Sequence, residues 1–406
     1  MSSSELSILE KLSSDESITK EQYHTYQPRT NNLKKNDEIR ILIQQHDQYS
    51  KPYESYLYIQ GEVVLPEATT QDPTPSATLL KNAFCYLFQE ARYEINGVEI
   101  DRNQDVGTTT TIKNYLSCKP NNYNNILFGW EKSGELSLYN NTKRTFYAQI
   151  PLNKLFGFAE DYRKIIVNAR QELILLRSAT DKNCYVESAN VEINLSKVEW
   201  HMPHVELNDS SRIQFLSILK ADKPLLVPFR KWELHELPAL KNTSNDIWSV
   251  KTSTSLERPR YVIVCFQTDK KNNHMQDVTI FDHCNIRIMK VFLNSTSYPY
   301  DNMNLDFENN NYITAYNNFL NFLPSYYQTE YKSTTSNLTY ADFKNHTFYV
   351  FDVTKQNESV KTSTIDLQIE MESTKVFPAN TKAFCLILFD SIVEYTPLTG
   401  IVRKIV

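Results

Sequence analysis

The stretch KAFCLILFDSIVEYTPLTGIVRKIV (residues 382–406) decides the interpretation of the sequence, because an earlier stretch repeats its pattern. The earlier stretch is ESANVEINLSKVEWHMPHV (residues 187–205). Each contains an apolar strand-like segment, a polar pair, a Val-Glu-aromatic step and a Pro. The step lies at residues 198–200 and again at residues 393–395. One closing strand used twice predicts one domain used twice.

Further strand signals recur in the second half in the same order and at nearly constant spacing. The matched pairs are residues 54–64 and 260–267, residues 83–95 and 284–293, and residues 146–152 and 348–353. Each half also has a helical pattern in the same slot, with Ile112, Tyr115 and Leu116 on one face of the first helix. The second helix places Tyr312, Tyr316, Phe319, Leu320 and Leu323 on one face and is expected to end at Pro324. These repeats favour a structural duplication over two unrelated β domains with similar turn chemistry.

Two local patterns predict strand details. Asn96-Gly97 between apolar runs indicates a tight hairpin. Residues 364–372 alternate strictly between apolar and polar side chains, which predicts a half-buried strand with Ile369 inward and Glu370 outward. Residues 399–406 extend past the last strand and are expected to pack against a neighbouring domain or subunit.

The composition favours an all-β protein. The chain has 25 Tyr and 20 Phe but only 7 Gly, and aromatic residues favour the half-buried surface of a pleated sheet. Since strands and helices do not alternate regularly, antiparallel sandwiches are expected rather than a parallel α/β fold. The sequence therefore predicts a double jelly roll: two tandem eight-stranded antiparallel β-sandwiches, each with a short helical excursion. The predicted domains are a flexible N-terminal arm (residues 1–25), a first jelly roll (26–205) and a second jelly roll with a short tail (206–406).

Charge and hydropathy exclude several protein classes. No apolar run approaches the roughly 18 residues that span a membrane, and the first residues, MSSSELSILEKL, lack the regions of a signal peptide. We therefore expect a soluble protein that is not secreted through a signal peptide, with its six cysteines reduced and buried. The net charge is -5 and no dense Lys/Arg run occurs, so nucleic-acid contact is expected to be weak or indirect.

The sequence contains no nucleotide-binding, hydrolase or zinc-protease motif of the common types. His201 and His204 are the nearest to a metal-binding pair, but Pro203 breaks helical spacing and ordinary histidines are expected there. His283 and Cys284 are adjacent, and adjacent residues of a strand point to opposite faces, which argues against a Cys-His couple. No catalytic, cofactor-binding or metal-binding residue is therefore assigned.

The carboxylates and tyrosines also have simple structural interpretations. Acidic residues precede the two helices, where capping or charging a helix N-terminus is the simplest role; they are Asp101, Asp105, Asp301, Asp306 and Glu308. The tyrosines Tyr298, Tyr300, Tyr326 and Tyr327 could form a platform for a sugar or a base, although packing between sheets and subunits is the commoner use.

Six blocks of the sequence are specific enough to suggest a family: PLNKLFGFAEDYRK (151–164), ELILLRS (172–178), PRYVIVCFQT (259–268), FDHCNIR (281–287), LNSTSYPYDNMNLDF (293–307) and FPANTKAFCLILFDSIVEYTP (377–397). They resemble the double jelly-roll-like domain proteins of animal genomes, which look like the major capsid proteins of Polinton/Maverick elements and adintoviruses. The resemblance covers roughly residues 20–406.

The resemblance implies a non-enzymatic major capsid protein of a double-stranded DNA virus or a virus-like mobile element. Such a protein would form homotrimers with a pseudo-hexagonal outline and then an icosahedral shell, together with a penton or minor capsid protein. It would be assembled inside the host cell and located in the virion, without a cofactor or membrane insertion. The resemblance does not identify the subunit-interface residues. The alternatives are a non-catalytic carbohydrate-binding β-sandwich or a domesticated capsid-derived protein, and a hydrolase has only scattered carboxylates in its favour.

Overall fold

The computed structural model describes residues 17–30, 32–44, 49–70, 73–120, 122–188, 190–250, 258–294, 296–328, 338–356 and 366–405. The strands of the first half are β1 (Ile18–Tyr26), β2 (Glu38–Ile43), β3 (Tyr49–Ser50), β4 (Tyr56–Val64), β5 (Ala77–Leu79), β6 (Phe88–Ile95), β7 (Val98–Gln104), β8 (Tyr139–Asn140), β9 (Thr145–Pro151), β10 (Gln171–Arg177), β11 (Tyr185–Glu187) and β12 (Glu192–Leu207). Those of the second half are β13 (Leu225–Leu237), β14 (Asn245–Val250), β15 (Pro259–Thr268), β16 (Ile286–Leu293), β17 (Thr296–Tyr298), β18 (Tyr349–Asp352), β19 (Leu367–Ser373), β20 (Thr381–Thr396) and β21 (Ile401–Ile405).

The helices connect or flank these strands. They are α1 (Ala83–Tyr86), α2 (Val106–Ser117), α3 (Leu152–Leu155), α4 (Gly157–Asp161), α5 (Asp209–Lys220), α6 (Ile313–Tyr327) and α7 (Tyr340–Phe343). Two short 3-10 segments lie at Pro52–Glu54 and Tyr123–Phe128. Within the ranges given above, none of the helices is long and apolar enough to cross a membrane.

The two halves have the same sheet order. In the first, the order β1-β12-β4-β9 faces the order β2-β10-β6-β7, with β8 beside β9 and β3 beside β12. In the second, β13-β20-β15-β18 faces β14-β19-β16-β17, with β21 beside β20. Every pair is antiparallel, and α2 and α6 occupy the same slot between the corresponding strands. This is the predicted all-β double jelly roll, with eight equivalent strands in each half.

The alternation of side chains explains how each sandwich forms. In β2, Ile39, Ile41 and Ile43 are fully buried and their neighbours are more exposed. The predicted alternation is confirmed within β19, because Ile369 is fully buried and Glu370 is exposed, whereas residues 364–365 of the predicted strand lie outside the described residues. Removing such apolar faces from water is the main favourable contribution to folding.

The Asn96-Gly97 hairpin between β6 and β7 is also confirmed. Asn96 has φ 51° and Gly97 has φ 79°, the left-handed conformations that a two-residue type I′ turn requires. Asn and Gly adopt this region at low cost, so the turn is encoded locally.

Two of the predicted strands begin later in the structure than the sequence pattern indicates. The predicted strand at residues 83–95 begins as the helical turn α1, and β6 starts only at Phe88. All residues of α1 are buried, so periodicity could not distinguish it from a strand. The predicted strand at residues 284–293 starts at Ile286, because Cys284 and Asn285 both have positive φ in a turn.

The prediction of a flexible arm is wrong from Ile18 onward. Ile18–Tyr26 forms β1, which pairs along β12 with Tyr26 opposite Trp200. The strand was missed because its outer side chains are polar and solvent-exposed, and its partner is remote in sequence. Residues 1–16 lie outside the described residues. The boundary between residues 205 and 206 stays a prediction; it lies near the end of β12, with α5 and β13 following.

Two other expectations need correction. Pro324 does not end α6, which continues to Tyr327 and is capped at Gln328 with φ 52°. The two Val-Glu-aromatic steps lie in equivalent strands but not at equivalent positions. Glu199 is opposite Tyr58 of β4, whereas Glu394 is opposite Leu226 of β13 and Arg403 of β21. The strand β20 extends beyond β15, so the second step lies outside the part of the sheet that corresponds to the first.

Candidate functional site: the junction between the two jelly rolls

The two jelly rolls meet where α4 of the first contacts β13 of the second. Gly157 begins α4 and lies directly against the main chain of β13, where an added Cβ would be only 1.7 Å from the carbonyl oxygen of Arg230. A side chain at this position would therefore separate the two backbones. Gly157 permits the close approach that the rest of the junction depends on.

A bidentate ion pair crosses this contact. The Arg230 Nε and its backbone N–H both donate to Asp161 Oδ2 at 2.8 Å, and Arg230 Nη2 donates to Asp161 Oδ1. Parallel charge-assisted hydrogen bonds fix direction as well as distance. The pair therefore determines the orientation of β13 relative to α4.

Arg230 is also held from its own jelly roll. Its guanidinium lies 3.6 Å from the centre of the Tyr326 ring in α6, and its Nη1 donates to the Tyr326 carbonyl oxygen at 2.6 Å. Stacking on an aromatic face suits the planar, weakly hydrated guanidinium. One side chain thus joins α4, β13 and α6.

A second ion pair is almost completely shielded from water at this junction. Lys113 of α2 and Glu160 of α4 are 2.7 Å apart, and their side chains are only 3% and 9% exposed. Tyr326 Oη donates to Glu160 Oε2 at 3.2 Å, and Lys113 Nζ lies 5.3 Å from the centre of the Trp232 ring in β13. Burial alone would raise the pKa of Glu160, but Lys113 outweighs it and the pKa is lowered. The carboxylate therefore stays charged and satisfied inside the junction.

Two further contacts extend the junction. Lys271 of the second jelly roll lies between Asp105 of the first, at 2.6 Å, and Glu236, at 2.5 Å. Tyr115 of α2 packs on His346 and Phe348, with ring centres 4.9 and 5.4 Å apart. The junction is thus a mixed apolar and charged interface and not a hinge between loosely linked domains.

The C-terminal tail adds further contacts between the two jelly rolls. β21 pairs with the end of β20, and Gly400 O accepts from Asn96 Nδ2 of the β6–β7 turn at 2.8 Å. Tyr395 Oη donates to Val167 O at 2.5 Å. Lys404 of β21 lies 3.7 Å from Glu99 of β7, so the expectation that residues 399–406 contact a neighbouring domain is confirmed for Gly400 and Lys404; residue 406 lies outside the described residues.

A cleft of about 570 Å³ opens beside the Asp161–Arg230 pair. Its walls include Arg163, Arg260, Tyr261, Tyr327 and Asp390. Arg260 and Asp390 already form an ion pair of 2.6 Å across one wall. The charged groups of the cleft are thus largely paired with one another, and they do not present a nucleophile beside a base.

The surroundings of the histidine and cysteine candidates indicate that these residues have structural roles. His201 stacks on Tyr56 at 4.8 Å, and His204 Nε2 is 2.9 Å from Tyr26 Oη. Burial, followed by repulsion from His24, lowers the pKa of His204 to about 4. His201 and His204 do not converge, and the described ranges contain no group of three His, Cys, Asp or Glu residues that could hold a metal ion.

His283 and Cys284 precede β16 and Cys284 lies in a turn, so the strand geometry expected for this pair is wrong. Burial raises the pKa of the Cys284 thiol to about 12, and burial lowers the pKa of His283, which stacks on Phe307 at 4.5 Å. A thiolate is therefore disfavoured. All six cysteines are buried, as expected.

The acidic residues that precede the two helices have different structural roles. Asp105 caps α2 by accepting from Thr108 N at 3.4 Å, as predicted. Asp101 is instead buried and accepts from Phe158 N at 3.0 Å, whereas Asp306 holds a turn before α6 by accepting from Asn309 N at 3.1 Å. Glu308 pairs with Lys375. These roles are structural for all four.

The tyrosine candidates are split between packing and exposure. Tyr326 and Tyr327 belong to the junction through Glu160, while Tyr298 is half-buried and Tyr300 is exposed. They do not form one platform. The junction residues Lys113, Glu160 and Arg230 were not identified from the sequence, and only the block at residues 151–164 gave a signal for α4.

Comparison with known proteins agrees with this architecture. The family model of the double jelly roll-like domain matches residues 77–393. The chain belongs to the double jelly roll-like domain family. Comparison with curated protein sequences finds no match.

Several solved structures that resemble this double jelly roll come from viruses and virophages. A chain from the Sputnik virophage structure matches with a TM-score of 0.65 and 8% identity, covering 98% of this chain and 90% of that one. A chain of the PBCV-1 virus capsid matches with a TM-score of 0.62 and 10% identity, covering 98% and 99%. The mavirus major capsid protein matches with a TM-score of 0.52 and 10% identity, covering 95% and 90%. At these identities the likeness concerns the fold.

Proposed function

We propose that this double jelly roll is the major capsid protein of a double-stranded DNA virus or a virus-like mobile element such as a Polinton/Maverick. The observation that carries the proposal is the pairing of two topologically identical jelly rolls through a buried, charged junction. The likeness in fold to chains of the Sputnik, PBCV-1 and mavirus particles supports it over nearly the whole chain. The role is structural and not enzymatic.

Assembly follows from the geometry of two similar domains in one chain. Three chains contribute six similar domains, so a homotrimer can fill a six-fold position of a shell while having only three-fold symmetry. The trimers would then form a closed icosahedral lattice, with a penton or minor capsid protein at the remaining positions. The protein would be assembled inside the host cell and located in the virion, with weak or indirect nucleic-acid contact.

The oligomeric state tests this proposal directly. The full chain, at several protein and salt concentrations, should sediment as three copies of the 47.4 kDa chain, and negative-stain images should contain pseudo-hexagonal particles. A species of one chain at every concentration would reject the proposal. Saturable binding to a glycan array by that single-chain species would instead support a carbohydrate-binding sandwich.

A further inference from the structure

The junction inside the chain joins one side of a jelly roll to the opposite side of the next. β7, an edge strand of the first jelly roll, packs against β13, an edge strand of the second. Their counterparts by sheet order are β17 in the second jelly roll and β1 in the first. Within the part of the chain that the structure describes, β17 pairs only with β16, and β1 only with β12. The described part of the chain therefore contains one contact of this kind, between β7 and β13. The two equivalent edges, β17 and β1, do not pair with each other in that part and remain available for the same kind of contact.

The side chains beside β1 differ from those at the equivalent place beside β13. Directly paired residues of neighbouring strands point to the same side of a sheet, and Thr25, His201 and Tyr56 form such a row. Tyr23 and Tyr58 flank this row on the same side. We call these five residues the β1 face.

The β1 face is aromatic and partly open. The Tyr23 side chain is 50% exposed, its ring centre is 5.7 Å from that of Tyr56, and Tyr56 stacks on His201. In the second jelly roll the corresponding row is Trp232, Leu388 and Tyr261, and all three are buried. There α6 covers Trp232 and Tyr261, and Lys113 of the first jelly roll lies over Trp232.

We propose that the β1 face receives the β17 edge of the second jelly roll of a neighbouring copy. A head-to-tail contact closes into a ring when its rotation closes, and two-domain chains in such a ring alternate first and second jelly rolls. The partly exposed flank of a first jelly roll then meets only a second jelly roll from the next chain. This inference rests on the proposed trimer and names the surfaces that form it.

The chemistry of the two surfaces suits this partner. Tyrosine is enriched at protein interfaces because it buries a large area and keeps a polar group for hydrogen bonding. Tyr300 follows β17 by two residues and is 87% exposed, so the proposed partner edge also presents a large aromatic side chain. Aromatic anchors near the centre of an interface typically carry most of the binding energy.

Glutamate substitutions in the full-length chain test the inference. Tyr23→Glu and, independently, Tyr300→Glu should each raise the trimer dissociation constant at least about tenfold, the effect of losing one anchor. Tyr123→Glu is the matched control, because Tyr123 is 85% exposed and its 3-10 segment packs on β9, toward the opposite edge of the sheet from β1, so the variant should stay trimeric. Sedimentation gives the dissociation constant, and circular dichroism with thermal melting establishes that each variant is folded. If either Tyr23→Glu or Tyr300→Glu fails to fold, the dissociation constant of the other variant decides whether the inference holds.

The outcomes separate this inference from the capsid proposal. Trimers of undiminished affinity in both folded variants would overturn the assignment of the β1 face while leaving the trimer itself in place. An unsubstituted chain that never forms trimers would instead reject the capsid proposal on which the inference rests. Loss of trimers in Tyr123→Glu as well would also overturn it, because the effect would not be specific to this surface.

Discussion

Asp161 of the first jelly roll accepts hydrogen bonds from both the backbone N–H and the Nε of Arg230 in the second, each at 2.8 Å. One carboxylate therefore holds the main chain and the side chain of its partner at once. A side chain alone can move among rotamers, but a contact that includes the backbone fixes the position of the strand.

Loss of this carboxylate should destabilise the protein. Asp161→Ala leaves a partly buried guanidinium and a backbone N–H without their acceptor, which should lower the free energy of unfolding by about 2–3 kcal/mol. Urea denaturation at fixed protein concentration measures the change. The control is Asp390→Ala, which removes an ion pair with Arg260 whose side chains are 44% and 46% exposed and should cost less than about 1 kcal/mol. Equal costs would contradict the role given to Asp161.

Gly157→Ala should be poorly tolerated. The new Cβ would lie 1.7 Å from the Arg230 carbonyl oxygen, so α4 and β13 must separate, at a cost of about 3 kcal/mol. Gly97→Asn is a useful control, because the Gly97 Cβ position is open and Asn tolerates the left-handed backbone, so the cost should stay within about 1 kcal/mol. The explanation fails if the two variants melt at the same temperature.

Acid should weaken the junction through His346. Burial and then repulsion from Lys81 lower the pKa of His346 to about 4, whereas the pKa of a histidine in the unfolded chain is about 6.5. The unfolded chain therefore binds more protons once the pH falls below about 6.5, and stability is lost progressively down to about pH 4. Burial likewise lowers the pKa of His204 in β12 to about 4, so His204 adds to the acid-induced loss of stability of the whole chain.

Melting temperatures between pH 7.5 and pH 4 measure this dependence. His346→Gln should melt with a smaller decrease over that range, because one of the groups that gains a proton on unfolding is absent. An identical decrease in the variant and the unsubstituted chain would show that His346 does not contribute.

The pleat of β19 gives a test that is independent of the junction. Ile369→Asp places a charge at a fully buried position and should abolish soluble expression, whereas Glu370→Lys at the exposed neighbour should change stability by less than about 1 kcal/mol. Soluble yield and circular dichroism report the outcome. Similar effects of the two substitutions would mean that the strand is not oriented in this way.

Much of the fold could be predicted because it is encoded locally. The Asn96-Gly97 turn, the alternation around Ile369 and the helix bearing Tyr316 and Phe319 depend on residues close in sequence. The order of such signals then identified the repeat. The same reasoning failed for α1, whose residues are buried on all sides, and for β1, whose partner is remote in sequence.

The junction could not be predicted for a related reason. Asp161 and Arg230 are ordinary charged residues in the sequence, and their importance depends on the contact between α4 and β13. Gly157 likewise gives no sign of the carbonyl group that faces it. Interfaces between domains are set by tertiary position, which neither periodicity nor turn chemistry reports.

The helix α5 between β12 and β13 has a consequence for the order of events in a cell. Because it tethers the two jelly rolls, the β7–β13 contact forms within one chain, regardless of how much protein has been made. The contact proposed at the β1 face has no tether and obeys mass action. If the proposed ring forms, newly made chains would complete their internal pairing as single units, and ring closure would follow only once the protein concentration has risen.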